Sequence, residues 1–236
     1  MTISVIIAGG KGQRLNQDIP KQFINVDDKP ILIHTLEEFQ KHPEVDEIGV
    51  VCLDGWHELL RAYCKQFNIN KLKWITSGGT TGQESIRNGV FYLRDKCETK
   101  SNDIVIIHDG IRPLVDENVL SDVIVKCKQY GNAVTSLPYN EQIFIKKDEL
   151  TTSQYINRDT LRRVMTPQAY RMDKLIWAYE KAFSENFVLA NSSYTNTLMV
   201  DLGETLYFAA GSEKNIKITT IDDIALFRAL KNIKGN

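Results

Sequence analysis

The residues best suited to chemistry form one run near the start of the chain, Ala8-Gly9-Gly10-Lys11-Gly12-Gln13-Arg14-Leu15, followed shortly by Pro20-Lys21-Gln22. A Gly-Gly-x-Gly turn directly after a buried strand lets backbone N–H groups close on an anion with no Cβ in the way. Lys11, Arg14 and Lys21 then place three cations within one short loop. The run is neither the G-x-x-x-x-G-K-[ST] phosphate loop nor the spaced G-x-G-x-x-G dinucleotide turn, so ATP hydrolysis and NAD binding both lose ground. The plain alternative is a loop whose charges are simply solvated. Against it, a triphosphate with its metal is the natural partner for such a loop. Two further turns, Gly78-Gly79 and His108-Asp109-Gly110, also follow apolar runs.

These turns need elements to hold them. Ile3 to Ala8 is continuous and β-branched, as expected of a parallel strand covered on both faces. Pro30 opens a helix with Ile31, Leu32, Leu36 and Phe39 at helical spacing. Glu47 to Cys52 reads as a strand, and Asp54 as the N-cap of a helix from Trp56 to Phe67. A short strand, Lys71 to Ile75, precedes a helix announced by the capping-box pair Thr81 and Glu84. Asp103 to Ile107 is the next strand, followed by a helix from about Asp116 to Tyr130 that Gly131 ends, and a strand from Asn132 to Leu137. This alternation predicts a doubly wound parallel sheet with helices on both faces, which binds ligands beyond the carboxyl ends of its strands. All three turns fall there.

The pattern breaks from Tyr139 to Arg163, where two alternating runs, Gln142 to Lys147 and Ser153 to Ile156, predict a hairpin outside the parallel sheet. A lone hairpin is marginal in water, so this arm should pack on something, such as a second subunit. A helix from Asp173 to Phe183, a less regular stretch to Gly203, a strand from Thr205 to Ala210 and a helix from Thr220 to Ile233 complete the chain. With no linker, repeat or low-complexity stretch, residues 1–236 read as one domain, with 139–163 as its arm.

Composition narrows the partners. Of 236 residues, 42% are hydrophobic and 25% charged, which excludes disorder and membrane spanning as descriptions of the whole chain. The 29 Lys and Arg against 30 Asp and Glu leave no global basic field, so no nucleic-acid partner is expected. The four cysteines match no zinc or redox spacing and read as reduced, apolar packing groups. The first residues lack a basic region and a long apolar run, so the expected location is cytoplasmic.

The run A-G-G-K-G-Q-R-L with its following P-K-Q resembles the signature loop of the nucleotidyltransferases that activate phosphorylated sugars. P-K-Q-F, together with H-D-G-I-R-P at 108 to 113 and T-P-Q at 166 to 168, resembles the cytidylyltransferase branch acting on sugar-alcohol phosphates such as ribitol phosphate and methylerythritol phosphate. The likeness runs from Ile3 through N-I-K-I-T at 215 to 219. It implies a Rossmann-like core, a homodimer with exchanged arms, CTP and Mg²⁺, and release of pyrophosphate.

Residue by residue, the resemblance implies that Ala8, Gly9, Gly10, Lys11 and Gly12 wrap the CTP phosphates, while Arg14 and Lys21 flank the α-phosphate as the catalytic cations. It puts Gly78, Gly79 and Ser85 against the cytosine and its sugar, and makes Asp109 the metal ligand, with Gly110 and Arg112 shaping the pocket around it. Arg158, Thr166 and Lys217 match the ligands of the acceptor phosphate. A carboxylate at 109 also makes independent sense, because Mg²⁺ is commonly held by one or two carboxylates plus substrate phosphates. His108 reads as a positioning or packing residue. Three places depart from the methylerythritol-phosphate pattern: Glu141-Gln142 in place of Asp-Thr, Ser193-Tyr194-Thr195-Asn196 in place of Thr-Asp-Asp-Ala, and Gly82 in place of arginine. The phosphate clamp is thus kept while the polyol-recognising residues change. The expectation is transfer of CMP from CTP to a phosphorylated polyol, of the ribitol 5-phosphate or glycerol phosphate type, giving a CDP-alcohol for a teichoic-acid-like or capsular polymer. The alternatives are the methylerythritol-phosphate reaction of isoprenoid synthesis and a nucleotide-binding homologue without catalysis.

Overall fold

A seven-stranded sheet forms the centre of the molecule, in the order β11-β7-β10-β6-β1-β4-β5. The computed structural model describes residues 1–10, 19–184 and 194–234. Strand β1 (Thr2–Ala8) lies between β4 (Glu47–Cys52) and β6 (Ile104–Asp109), parallel to both. β5 (Leu72–Ser77) adds to β4 in parallel, and the short β11 (Phe208–Ala210) adds to β7 (Asn132–Pro138) in parallel at the other edge. Burial of Ile3, Val5 and Ile6 follows from this central position, since a strand with neighbours on both sides and helices on both faces has no side open to water.

One face is covered by α1 (Ile31–Lys41), α2 (His57–Gln66) and α4 (Glu117–Tyr130), the other by α3 (Gly82–Lys96), α5 (Met172–Ala182) and α6 (Thr195–Asp201). The capping box at Thr81 and Glu84 is formed: Glu84 N–H donates to Thr81 Oγ1 at 3.1 Å, and Glu84 Oε2 accepts from Thr81 N–H at 3.2 Å. Asp116 caps α4, and Gly131, at φ 87°, ends it in the left-handed conformation that glycine adopts without a Cβ clash. The final helix, α7 (Ile221–Lys234), packs Ile224 and Phe227 in a cluster with Ile31 at the start of α1 and Val26 of the two-residue strand β2 (Asn25–Val26), which pairs with β3 (Lys29–Pro30).

Four expectations are corrected. Asp54 does not cap α2; Trp56 takes the N-cap position without a side-chain bond, and Asp54 sits 3.9 Å from His57 instead. His108 and Asp109 are the last residues of β6 rather than a turn, because parallel pairing with β1 continues through Ile6–His108 and Ile7–Asp109. Residues 195–201 form α6 where an irregular stretch was expected. Most consequential is β10 (Arg162–Arg171), which runs antiparallel between β6 and β7 in the middle of the sheet. Arg162 and Arg163 therefore belong to the main sheet, and the hairpin is confined to β8 (Ile143–Lys146) and β9 (Thr152–Ile156).

Candidate active site

The carboxyl ends of β1, β5 and β6 bring the glycine turns together. A Cβ added to Gly9 would lie 3.1 Å from Gly78 Cα and 3.3 Å from Ser85 Oγ, so two backbones 69 positions apart touch because neither bears a side chain there. Gly78 N–H donates to Cys52 O at 2.9 Å, extending β5 past its neighbour. Ser85 Oγ accepts from Gly79 N–H at 3.0 Å and donates to Thr81 O at 2.9 Å, folding the turn onto the first turn of α3. Gly79 is required by close approach, since an added Cβ would meet Glu84 Cβ at 2.3 Å. At Gly10 an added Cβ meets no described atom within 4 Å, so no described packing demands a glycine there.

Lys21 opens a 3-10 turn, Lys21–Phe23, that begins directly after Pro20. Its neighbour Gln22, 1% exposed, donates both Nε2 hydrogens to carbonyl oxygens of the strand end, Ala8 O at 2.8 Å and Gly10 O at 3.0 Å. The amide thereby ties the two sides of the signature run at its neck. Lys11, Gly12 and Arg14, and Ser193 of the later departure, lie outside the described residues.

A second cluster surrounds Asp109. Its Oδ2 receives Arg112 Nε at 3.0 Å, Lys217 Nζ at 3.3 Å and Thr166 Oγ1 at 3.4 Å, while its own N–H donates to Thr166 Oγ1 at 3.1 Å. Burial alone would push the carboxyl up, but the Lys217 and Arg112 cations outweigh it and hold the group below its usual range, so it is ionised at neutral pH. The side chain remains 22% exposed. Thr166 reaches this carboxylate because β10 runs antiparallel beside β6, which sets the chain before Gln168 against the end of β6. Asn215 completes the cluster: its carbonyl accepts from Arg112 Nη1 at 2.7 Å, and its Nδ2 donates to Thr166 O at 2.7 Å.

Gly110 is explained by packing, since a Cβ there would meet Leu32 Cδ1 at 2.9 Å and Ile7 O at 3.1 Å. Its N–H donates to Ile7 O, and its carbonyl accepts from Thr35 Oγ1, both at 2.9 Å, which fixes the chain just after Asp109. His108 is fully buried against Phe39, with Nε2 at 3.1 Å from Arg112 O. A carbonyl only accepts, so Nε2 carries the hydrogen; burial pushes the imidazole down to about 4, leaving it neutral at pH 7. It positions the loop that carries Arg112.

The structure thus joins Ala8, Gly9, Gly78, Gly79 and Ser85 in one group, and Asp109, Gly110, Arg112, Thr166 and Lys217 in another, at the carboxyl end of the sheet's parallel strands. Arg158 is not drawn in: it is exposed in the arm, where Nη1 donates to Asn140 O at 3.0 Å. Gln22 and Asn215 escape the sequence reading although each stands inside a quoted motif, because an amide beside an assigned lysine carries no signal of its own until the fold shows which carbonyls it faces. Among the described residues no group of three or more His, Cys, Asp or Glu side chains is placed to hold a metal. One ionised, partly exposed carboxylate at a strand end suits Mg²⁺, which takes few protein ligands, and does not suit zinc.

Paired glycine turns at the carboxyl ends of a doubly wound sheet, beside an ionised carboxylate held among cations, make this an α/β protein built for nucleotide phosphates. The family model for 2-C-methyl-D-erythritol 4-phosphate cytidylyltransferase (IspD) matches residues 2–232, and the chain belongs to that cytidylyltransferase family. It is 60% identical over 229 residues to a ribitol-5-phosphate cytidylyltransferase of Lacticaseibacillus paracasei, covering 97% of each chain. It is 34% identical over 222 residues to a 2-C-methyl-D-erythritol 4-phosphate cytidylyltransferase of Clostridium botulinum, covering 94% of this chain and 93% of that one. The crystal structure of 4-diphosphocytidyl-2C-methyl-D-erythritol synthase from Anaerococcus prevotii superposes with a TM-score of 0.81 at 24% identity, over 98% of this chain and 96% of that one, a likeness of fold.

Proposed function

We propose that the chain transfers CMP from CTP to ribitol 5-phosphate, giving CDP-ribitol and pyrophosphate. The observation that carries the acceptor is the 60% identity, over almost the whole length, to the ribitol-5-phosphate enzyme. A phosphate monoester with its second pKa near 6 is largely a dianion at neutral pH, so its oxygen can attack the α-phosphorus without a protein nucleophile. The bond from that phosphorus to the bridging oxygen breaks, and pyrophosphate leaves with the electron pair. The protein's task is alignment and charge compensation. Gly9, Gly78 and Ser85 form the floor against which the nucleotide lies, and the charge on the reacting phosphate is compensated by Lys21 and by Arg14, the two cations the family resemblance assigns to it. At an effective dielectric near 20, one cation about 4 Å from an oxyanion contributes roughly 4 kcal/mol. Asp109 would hold Mg²⁺ together with the triphosphate; the ion, when bound, neutralises phosphate charge. Thr166 and Lys217 then receive the acceptor phosphate beside it.

The arm contributes through a second copy. Its strands leave Phe144 and Tyr155 exposed, the turn between them leaves Leu150 95% exposed, and an open pocket of about 400 Å³ beside them is lined in part by Ile143, Phe144, Tyr155 and Arg158. Apolar groups on a two-stranded hairpin call for a cover, and a second subunit would bring Arg158 to an acceptor. The reading that the family model favours is methylerythritol 4-phosphate as acceptor. Pyrophosphate release with CTP and Mg²⁺ against ribitol, methylerythritol, arabinitol and glycerol phosphates separates the two. Ribitol 5-phosphate should give the highest kcat/KM; a preference for methylerythritol phosphate would transfer the assignment to isoprenoid synthesis, and turnover with none would reject both.

A further inference from the structure

Three polar side chains sit in the otherwise apolar layer between α3, α5 and α6, where the machinery described above does not use them. Gln83, in the first turn of α3, is 5% exposed; Tyr179 on α5 and Thr195 at the start of α6 are more deeply buried still. Gln83 Nε2 lies 3.2 Å from Tyr194 O, Gln83 Oε1 lies 2.9 Å from the Tyr179 hydroxyl, and that hydroxyl lies 2.8 Å from Thr195 Oγ1. Every direction in this set is fixed. The Tyr194 carbonyl only accepts, so the amide nitrogen of Gln83 must face it and Oε1 must face the phenol. Oε1 only accepts, so Tyr179 donates its single hydrogen there, and Thr195 must donate to the phenol oxygen. Because Tyr194 and Thr195 are adjacent, the bonds close into a ring: Thr195 to Tyr179 to Gln83 and back to Tyr194.

The ring is joined to the nucleotide turn by the residues on either side of Gln83. Thr81 caps α3, Glu84 reaches back to the N–H groups of Thr80 and Thr81, and Ser85 accepts from Gly79 N–H. The first turn of α3 therefore has two jobs, gripping residues 79–81 outward through Glu84 and Ser85, and gripping α5 and α6 inward through Gln83. We propose that Gln83 is a positioning residue for nucleotide binding, which holds the Gly78–Thr81 turn in register with the start of α6 through the Tyr179–Thr195 ring. A buried ring with one donor for each acceptor fails as a unit, since removing any member strands its partners unpaired in an apolar layer. This inference rests on the reading of Gly78–Ser85 as part of the CTP site. It also joins Gln83, the neighbour of the departure at Gly82, to Tyr194 within the departure at 193–196, though the two are 111 positions apart in sequence.

Tyr179→Phe and Thr195→Val test it from the far side, because neither side chain hydrogen-bonds the turn among the described residues. Hydrogen exchange of the ligand-free chain should show the Gly79, Thr80 and Thr81 amides exchanging about tenfold faster in both variants, the loss expected for one net hydrogen bond. CTP titrated calorimetrically without acceptor should bind about tenfold more weakly. Gln83→Glu supplies a readout that a role in stability alone would not move. Its carboxylate opposes the Tyr194 carbonyl at pH 8, whereas at pH 5 the acid form regains the missing hydrogen, so CTP affinity relative to wild type should recover on acidification. If Tyr179→Phe does not fold, Thr195→Val, which exchanges one hydroxyl for a methyl, carries the same measurements. A lowered Tm with unchanged exchange at 79–81 and unchanged CTP affinity overturns the proposal. Failure of the wild-type chain to bind CTP would instead overturn the nucleotide reading, and the exchange measurement would still decide the ring.

Discussion

Gln22 shows what one amide can control. Its Nε2 group spans Ala8 O and Gly10 O inside a buried neck, and the next residue back, Lys21, opens the 3-10 turn that carries it. Gln22→Leu leaves two carbonyls without donors and should cost about 2 kcal/mol of unfolding free energy, read by urea denaturation. Gln22→Glu sets a carboxylate against two carbonyl oxygens and should cost more, or fail to fold. Lys21→Ala should lower kcat far more than it weakens CTP binding, in single-turnover kinetics; the opposite split would remove Lys21 from the reacting phosphate. At this scale the sequence was informative about residue type and poor about partners. Asp109 stood out as a carboxylate after a buried strand, but nothing in one dimension said that Arg112, Thr166 and Lys217, far apart along the chain, converge on it.

Elements were readable where one rule acted alone. The capping box at Thr81, the left-handed glycine at 131 and the apolar run of β1 each follow from a local cause, and each is present. β10 was unreadable because its sequence, Arg-Arg-Val-Met-Thr-Pro-Gln, opens with charges and contains a proline, features that ordinarily demote a segment to an edge. Here the register with β7 shifts between Met165 and Gln168, so Pro167 falls where the ladder asks for no N–H, and a central strand tolerates it. The helix α1 offers a test of element docking through His34, whose Nε2 donates to Val26 O at 2.9 Å and whose ring meets Phe227 edge-on. Burial holds this imidazole below its usual value, against the Val26 bond, with Lys231 and Lys29 lowering it further and Glu37 opposing. Its folded pKa is therefore lower than its unfolded one, the unfolded chain binds more protons below about pH 6.5, and stability falls as pH drops through that region. Urea unfolding at pH 7.5 and pH 5 should show wild type losing more stability than His34→Gln, which keeps the bond and cannot take the proton; equal losses would place the pH dependence elsewhere.

The near-neutral net charge of the whole molecule, −1, conceals a local pairing of two cations, Lys217 and Arg112, on the one carboxylate at the end of β6. No helix among the described residues is long and apolar enough to cross a membrane. If the arm acts across a subunit boundary, Arg158→Ala and Lys21→Ala chains, each inactive alone, should regain activity when unfolded together and refolded as hybrids. Mass spectrometry would verify the mixing, and verified hybrids without activity would confine each site to one chain.

The place where the arm is attached has a further consequence. Pro138 and Arg162 face each other as paired residues of β7 and β10, so everything from 139 to 161 is a detour between two strands that are already neighbours. Such a detour can be lengthened, trimmed or rewritten without moving any strand past another, because the register on both sides is set by the sheet. The Asp109 cluster and the glycine turns hang on strand ends and tolerate no such freedom. The architecture therefore separates what can drift from what must stay, and a lineage of these proteins could exchange its detour wholesale while the sheet beneath it remained the same machine.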